Sequence, residues 1–168
     1  MREPNGEKRV AGIWLKVALV AFSVLTLFCH SSISQQRAES VEKQIFDAAN
    51  EERRAEGLMR LKWNPTLAQA ARQHAELMAR KNMLSHQLPN EPSLPARASR
   101  AGLYFIAIAE NIAQGTDAEN ISDQWVRSPE HRHNLLDPDM NVIGIAVAER
   151  NGQFFAVEDF AKIKPGTF

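Results

Sequence analysis

Hydrophobic residues follow three different patterns along this chain. Residues 17–29 form a mostly apolar run without a charged side chain, and residues 41–82 repeat apolar side chains at the three- and four-residue spacing of a helix. Residues 141–160 are dense in β-branched and aromatic side chains, which favour strands. This order predicts an N-terminal apolar segment, then a helical region, and then strands.

Two helices are predicted at the start of the domain. Val41, Ile45 and Ala49 recur at helical spacing, and Gly57 can close that helix. Its other face, residues 51–54, carries two glutamates and two arginines and is interpreted as a solvated surface. The second helix has Asn64 as its N-cap and proline at its first position. Its apolar stripe consists of Leu67, Ala70, Ala71, His74, Leu77 and Met78.

The middle of the chain combines a loop with two short helices. Residues 87–102 contain three prolines and a glycine, which predict a loop long enough to form the wall of a cleft. Thr116 and Glu119 form a capping-box pattern that opens a helix bearing Trp125 as a core residue. Ser128 and the proline after it predict a second cap, with a short helix over residues 130–136.

The C-terminal strands indicate the fold class. Residues 141–148 and 153–160 are two apolar strands, and Asn151-Gly152 between them is a strong type I′ hairpin signal. Both faces of this hairpin carry apolar side chains, so helices are expected to cover both sides of the sheet. The predicted architecture is an α/β fold, a three-layer helix–sheet–helix sandwich.

The N-terminal segment predicts export. Arg2, Lys8 and Arg9 precede the apolar run, as in a signal peptide, and the run is short for a membrane-spanning helix. Adding residues 12–15 lengthens it but places Lys16 inside, so an uncleaved anchor and a buried N-terminal helix are alternatives. The predicted organisation is a signal or anchor at residues 1–34, a polar linker at 35–40, one domain at 41–163 and a tail at 164–168. The expected location is secreted or extracytoplasmic, with membrane contact only through the first segment.

The charge balance, the cysteine content and the absence of known motifs exclude several kinds of function. The 20 basic and 20 acidic residues give a net charge of zero, without the basic excess typical of nucleic-acid binding. Cys29, the single cysteine, lies in the N-terminal segment, so the domain is expected to have no disulfide, cysteine nucleophile or thiolate metal site. There is no P-loop, G-x-G-x-x-G, G-x-S-x-G or H-E-x-x-H motif.

The remaining chemical candidates are histidines and carboxylates. His86 follows the second helix, His131 lies on the first turn of the last one, and Glu110 is a carboxylate among apolar neighbours. His74 is interpreted as a hydrogen-bonded core residue and His133 as a surface group. Taken alone, Glu110 could accept hydrogen bonds from backbone amides, and His131 could have a purely structural role. Arg132 is expected to form an ion pair with a carboxylate.

A series of short motifs, taken in their order along the chain, resembles the CAP domain of cysteine-rich secretory proteins, antigen 5 and pathogenesis-related 1 proteins. This domain is also called the SCP domain. The resemblance covers about residues 41–163, and the compact, cysteine-free form is similar to the bacterial branch. The motifs are Asn50-Glu-Glu-Arg53, Leu61-Lys-Trp-Asn64, Leu67, His74-Ala75, Ser85-His86, Ala109-Glu-Asn-Ile-Ala113, Trp125, Ser128-Pro-Glu-His-Arg-His-Asn134 and Ile143-Gly-Ile145.

The resemblance implies an α–β–α sandwich with an open cleft of two histidines and two acidic residues. By motif, His86, Glu110 and His131 match three of these positions. The family's other glutamate falls at Ser128, and Glu130 is the alternative source of a fourth group. The resemblance also implies a divalent cation, such as zinc, as a cofactor held by His86 and His131.

Three functions are compatible with this sequence. The first is a non-catalytic exported binding module whose cleft takes a lipid, glycan or protein. The second is a metal-dependent hydrolase of peptides or cell-envelope polymers, in which Glu110 ligates the ion or acts as a general base. The third is a structural envelope or adhesion protein. The first is the preferred hypothesis, with catalytic residues unassigned.

Overall fold

The computed structural model describes residues 34–164. The predicted signal or anchor segment and the tail therefore lie almost entirely outside the described residues. Between residues 34 and 164, no helix is both long enough and apolar enough to cross a membrane.

Five helices and four strands are described in residues 34–164. Helix α1 covers residues 34–55. The other elements, in chain order, are β1 Lys62–Trp63, α2 Pro65–Lys81, α3 Leu94–Ala101, β2 Ala107–Gly115, α4 Ala118–Arg127, α5 Pro129–Leu135, β3 Val142–Arg150 and β4 Gln153–Lys162.

The four strands form one sheet in the order β1-β3-β4-β2. Strand β1 is parallel to β3, whereas β3, β4 and β2 pair antiparallel. Strand β2 is therefore an edge strand whose single strand partner is β4. Asn151 and Gly152 both have positive φ, 51° and 75°, which confirms the predicted type I′ turn between β3 and β4.

Helices cover both faces of the sheet, as predicted. On one face, side chains of α1 and α4, such as Ile45 and Trp125, pack against Phe154 and Phe160 of β4. On the other face, α2 packs its alanines and Met78 against β3 and β4. The alternation of side chains along each strand places adjacent residues on opposite faces, so one strand supplies both cores.

Helix α2 lies very close to the sheet because β3 contains Gly144. A Cβ at this position would lie 2.2 Å from the backbone nitrogen of Ala68 and 2.4 Å from the carbonyl carbon of Leu67. The helix begins as predicted, with the Asn64 side chain accepting from the Leu67 N–H at 2.9 Å and Pro65 at the first position. The close approach places the first turn of α2 directly against the sheet.

The structure differs from the sequence predictions at several elements. Residues 35–40, predicted as a linker, are helical and belong to α1. Residues 87–102 were predicted as a loop but contain α3, which begins after Ser93 and ends at Gly102. Helix α4 is capped by Asp117, whose carboxylate accepts from the Asn120 N–H, rather than by Thr116.

Arg53 was predicted on a solvated face but is completely buried. Its guanidinium donates to the carbonyl oxygens of Met59, Leu135, Asp137 and Met140. These carbonyls lie at the end of α5 and in the segments after α1 and α5, so one buried charged side chain joins the ends of the two helices.

Candidate functional site

The predicted site residues surround the edge strand β2. Glu110 lies on β2, on the face covered by α2, and His86 lies in the loop after α2. His131 lies on α5, which approaches β2 from the other side: Asn111 of β2 donates to the His131 carbonyl and accepts from the Asn134 side chain of α5. Residues from both outer layers of the sandwich therefore meet at one edge of the sheet.

His86 and Glu110 form a direct hydrogen bond. His86 Nδ1 is 2.9 Å from Glu110 Oε1. The Glu110 side chain is 3% exposed, whereas the His86 side chain is 59% exposed. A buried carboxylate thus anchors an imidazole whose remaining edge faces solvent.

Arg97, from α3, is the main functional residue that the sequence analysis missed. Its guanidinium makes a short ion pair with Glu110 Oε2, and both side chains are buried. It also donates to the carbonyl oxygens of His86, at 3.2 Å, and Pro92, at 3.3 Å. The signal for α3 was present in Ser93, Pro95 and Gly102, because a cap, an early proline and a closing glycine are the signature used for the other helices.

A second layer of charged groups lies behind Glu110. His74 is completely buried, with Nδ1 2.7 Å from Glu91 Oε1 and Nε2 3.8 Å from Glu110 Oε2. Glu91 also accepts from the Leu88 N–H at 3.0 Å. The interpretation of His74 as a hydrogen-bonded core residue is confirmed, and its partner is a carboxylate next to the site.

Asp159 is the direct cross-strand neighbour of Glu110. It is completely buried, and neither carboxyl oxygen has a hydrogen-bond partner in the described part of the chain. Burial raises the pKa of Asp159 well above its usual range, and the negative charge on Glu110 raises it further, while Arg97 opposes the shift. Burial and the neighbouring carboxylate therefore both favour the neutral form of Asp159.

His131 lies at the N-terminal turn of α5, as predicted. Ser128 caps the helix and accepts from the His131 N–H, and the His131 carbonyl accepts from Asn111 Nδ2 at 3.0 Å. Partial burial lowers the pKa of the His131 imidazole, and the nearby His86 lowers it further. The two rings are therefore close enough for the charge of one to disfavour protonation of the other.

Two asparagines attach α5 to the edge strand. Asn134 Nδ2 donates to the Glu110 carbonyl at 3.4 Å and to Asn111 Oδ1 at 3.0 Å. An edge strand otherwise exposes unpaired carbonyls. These bonds fix the helix that carries His131 relative to the strand that carries Glu110, a role that local sequence patterns did not indicate.

The fourth acidic position of the resemblance is not recovered. Ser128 caps α5 instead of supplying an acid, and Glu130 is exposed on the first helical turn. His133 is also exposed, as predicted, and Arg132 forms the expected ion pair, with Glu56 at 2.6 Å.

The donor set does not fit a resident metal ion. Within residues 34–164, no group of three or more histidine, cysteine, aspartate or glutamate residues is arranged to hold one. Both oxygens of Glu110 already accept from the protein, one from His86 and one from Arg97. His86 and His131, which the resemblance assigns to a cation, therefore have no third ligand among the described residues.

A separate cavity lies between α1 and α4 on the opposite face of the sheet. Its volume is about 330 Å³, and its lining includes Trp125 and Glu158. Asn111 donates to Glu158 Oε2 at 3.1 Å, whereas Oε1 has no partner in the described residues. Burial raises the pKa of Glu158 to about 8.

A three-layer sandwich with histidines on both sides of a buried glutamate defines this class of protein. The chain belongs to the CAP family, the cysteine-rich secretory protein family, whose model matches residues 46–160. It is 33% identical over 109 residues to YkwD of Bacillus subtilis (strain 168), covering 64% of this chain and 42% of that protein. It is 35% identical over 107 residues to the B. subtilis membrane protein YlbC, covering 63% of this chain and 31% of that one. The chain thus spans less than half the length of these relatives.

Solved structures agree with this assignment. An extracellular protein containing an SCP domain from Bacillus anthracis str. Ames matches with a TM-score of 0.73 and 29% identity, covering 77% of this chain and 43% of that one. An outer surface protein from Borrelia burgdorferi matches with a TM-score of 0.69 over 74% of this chain and 94% of its own, at 22% identity, which shows the shared fold.

Proposed function

We propose that this protein is an exported, non-catalytic binding domain whose ligand contacts His86 and His131 at the edge of β2. The engagement of the Glu110 carboxylate carries this proposal. Both of its oxygens accept from neighbouring side chains and it is buried, so it acts as an anchor for His86 rather than as a reactant.

The burial and charge around Glu110 support binding by a preformed surface. Arg97 neutralises the carboxylate, and the same guanidinium fixes the loop through the His86 carbonyl. An imidazole held in this way loses little further freedom when a ligand arrives, which favours affinity. A general base needs an oxygen within reach of a water or substrate, whereas both Glu110 oxygens are buried and face His86 and Arg97.

The binding hypothesis is tested with the full-length chain and a panel of ligand classes. The panel contains sodium palmitate, soluble peptidoglycan fragments and a hexapeptide library, which represent the lipid, glycan and protein alternatives. We expect the wild type to bind at least one class and the double variant His86→Ala/His131→Ala to bind it at least about tenfold more weakly.

The matched control is His133→Ala, because this exposed histidine lies on the same helix. It should bind like the wild type. Equal affinity of the double variant and the wild type would overturn the proposed binding site. Chemical conversion of any panel member would show that the protein is an enzyme and not a non-catalytic binding domain.

Export is proposed from the N-terminal pattern and from the relatives. The B. anthracis protein is described as extracellular and the Borrelia protein as an outer surface protein. Deletion of residues 2–34 should retain the protein in the cytoplasm of an expressing cell, whereas the full chain should be accessible to external protease. Equal protease resistance of the two would contradict export.

A further inference from the structure

His86 and His131 differ in which ring nitrogen is engaged by the protein. A carboxylate can only accept a hydrogen bond, so Glu110 requires a proton on His86 Nδ1. In the neutral ring, the other nitrogen, Nε2, is then a hydrogen-bond acceptor. The His86 side chain is mostly exposed, so this acceptor is available to a ligand.

His131 has the opposite arrangement. Its Nδ1 is buried and has no partner within the described residues. A proton there would be a buried donor without an acceptor, and folded proteins tolerate this less often than a buried acceptor without a donor. In the neutral ring, the single proton therefore lies on Nε2.

We propose that the cleft presents one imidazole acceptor, His86 Nε2, and one imidazole donor, His131 Nε2–H, and that together they bind a secondary amide of the ligand. This inference rests on the proposed function and names the chemical group recognised there. The two rings come from opposite sides of strand β2, so a ligand that contacts both offers its donor to His86 and its acceptor to His131. A trans secondary amide has this property because its N–H and C=O point in opposite directions.

The proton positions are measured directly by ¹⁵N NMR of the full-length chain labelled at histidine. His86→Gln and His131→Gln variants assign the two rings. At neutral pH we expect the proton on Nδ1 of His86 and on Nε2 of His131. Protons on the same nitrogen in both rings would overturn this inference, and the proposed function would still be decided by its own binding test.

The ligand group is tested with small probes. N-methylacetamide should shift the Nε2 signals of both rings, whereas N,N-dimethylacetamide, which has no N–H, should shift His131 alone. N-acetylglucosamine and N-acetylalanine N-methylamide then distinguish a sugar from a peptide as the amide source. Glucose is the matched control for the sugar, and shifts as large as those from N-acetylglucosamine would contradict amide recognition.

Glu110→Gln should exchange the donor and acceptor nitrogens of the His86 ring. Arg97 can only donate, so the new amide must turn its oxygen toward Arg97 and its NH₂ toward His86 Nδ1. The His86 proton then moves to Nε2, and both rings become donors. We expect N-methylacetamide binding to weaken about tenfold or more and acetate binding to appear. Unchanged preference in a folded variant would overturn the inference, and if the variant fails to fold, the wild-type spectrum decides.

Discussion

Two buried glutamates lie on opposite faces of the sheet and have opposite surroundings. Glu110, on the α2 face, contacts His86 and Arg97 and has His74 close by. Glu158, on the α1 and α4 face, accepts one hydrogen bond from a neutral amide, that of Asn111. Both belong to neighbouring strands, and Asn111 is the residue that follows Glu110.

The difference shows that burial alone does not make a carboxylate functional. Without a cationic partner, burial raises the pKa of Glu158 to about 8, so it is largely neutral at neutral pH. Glu110 has an arginine and a histidine as partners and transmits its position to an exposed imidazole. The partners, supplied by α3 and the loop after α2, define the site.

Removing the arginine should have the largest effect. Arg97→Met leaves the Glu110 carboxylate buried without its guanidinium partner, and we expect a loss of about 3–5 kcal/mol in the free energy of unfolding. Urea denaturation measures this loss. Arg127→Met is the control, since Arg127 is 80% exposed in its ion pair with Asp123 and should cost at most about 1 kcal/mol. If Arg97→Met and Arg127→Met lost similar amounts of unfolding free energy, the distinction between the partnered Glu110 and the unpartnered Glu158 would be contradicted.

Glu158→Gln should stabilise the protein at neutral and alkaline pH. Between pH 4.5 and about 8 the folded protein holds a proton on Glu158 that the unfolded chain releases. The stability tied to this proton is fully present below pH 4.5 and is lost as pH rises through about 8. Glutamine keeps the bond to Asn111 and removes this loss, so we expect a gain of about 2–4 kcal/mol at pH 8.

The measurement for Glu158→Gln is urea unfolding at pH 5 and pH 8. The variant should gain stability over the wild type at pH 8 and much less at pH 5. An equal difference at the two pH values would show that Glu158 is not held neutral.

His74→Gln should weaken the layer behind Glu110. The change breaks the bond to the buried Glu91, and we expect a loss of about 1–3 kcal/mol. Thermal and urea unfolding measure it, with His133→Gln as the exposed control, which should stay within about 0.5 kcal/mol of the wild type. If His133→Gln lost as much unfolding free energy as His74→Gln, the stabilising role of the buried His74 would be contradicted.

Chelation should have the smallest effect. Since the donor set around β2 does not fit a resident metal, dialysis against EDTA should leave the thermal midpoint unchanged within about 1 °C. A fall of several degrees, restored by zinc, would show that His86 and His131 acquire a third ligand that the described arrangement does not contain.

Local signals in the sequence predicted the elements that depend on local chemistry. The caps at Asn64 and Ser128 and the turn at Asn151-Gly152 form as expected, because each uses bonds within a few residues. The site was predicted through motifs, and His86 and Glu110 are in direct contact.

The missed features depend on contacts between distant segments. Arg53 was predicted on a solvated face and Arg97 fell within a predicted loop, because nothing in their neighbouring sequence indicates contacts with Glu110 or with the carbonyls near the end of α5. Asp159 looked like an ordinary strand residue. The upward shift of its pKa arises from burial and from the cross-strand position of Glu110, and the sequence specifies neither locally.

The most direct test compares the two glutamates in ligand binding. The affinity of the full-length wild type for whichever panel ligand it binds is measured beside Glu110→Gln and Glu158→Gln, each first shown to be folded. The account predicts a loss of at least about tenfold for Glu110→Gln and no change for Glu158→Gln. Equal affinities for all three proteins would contradict the claim that Glu110 organises the binding site.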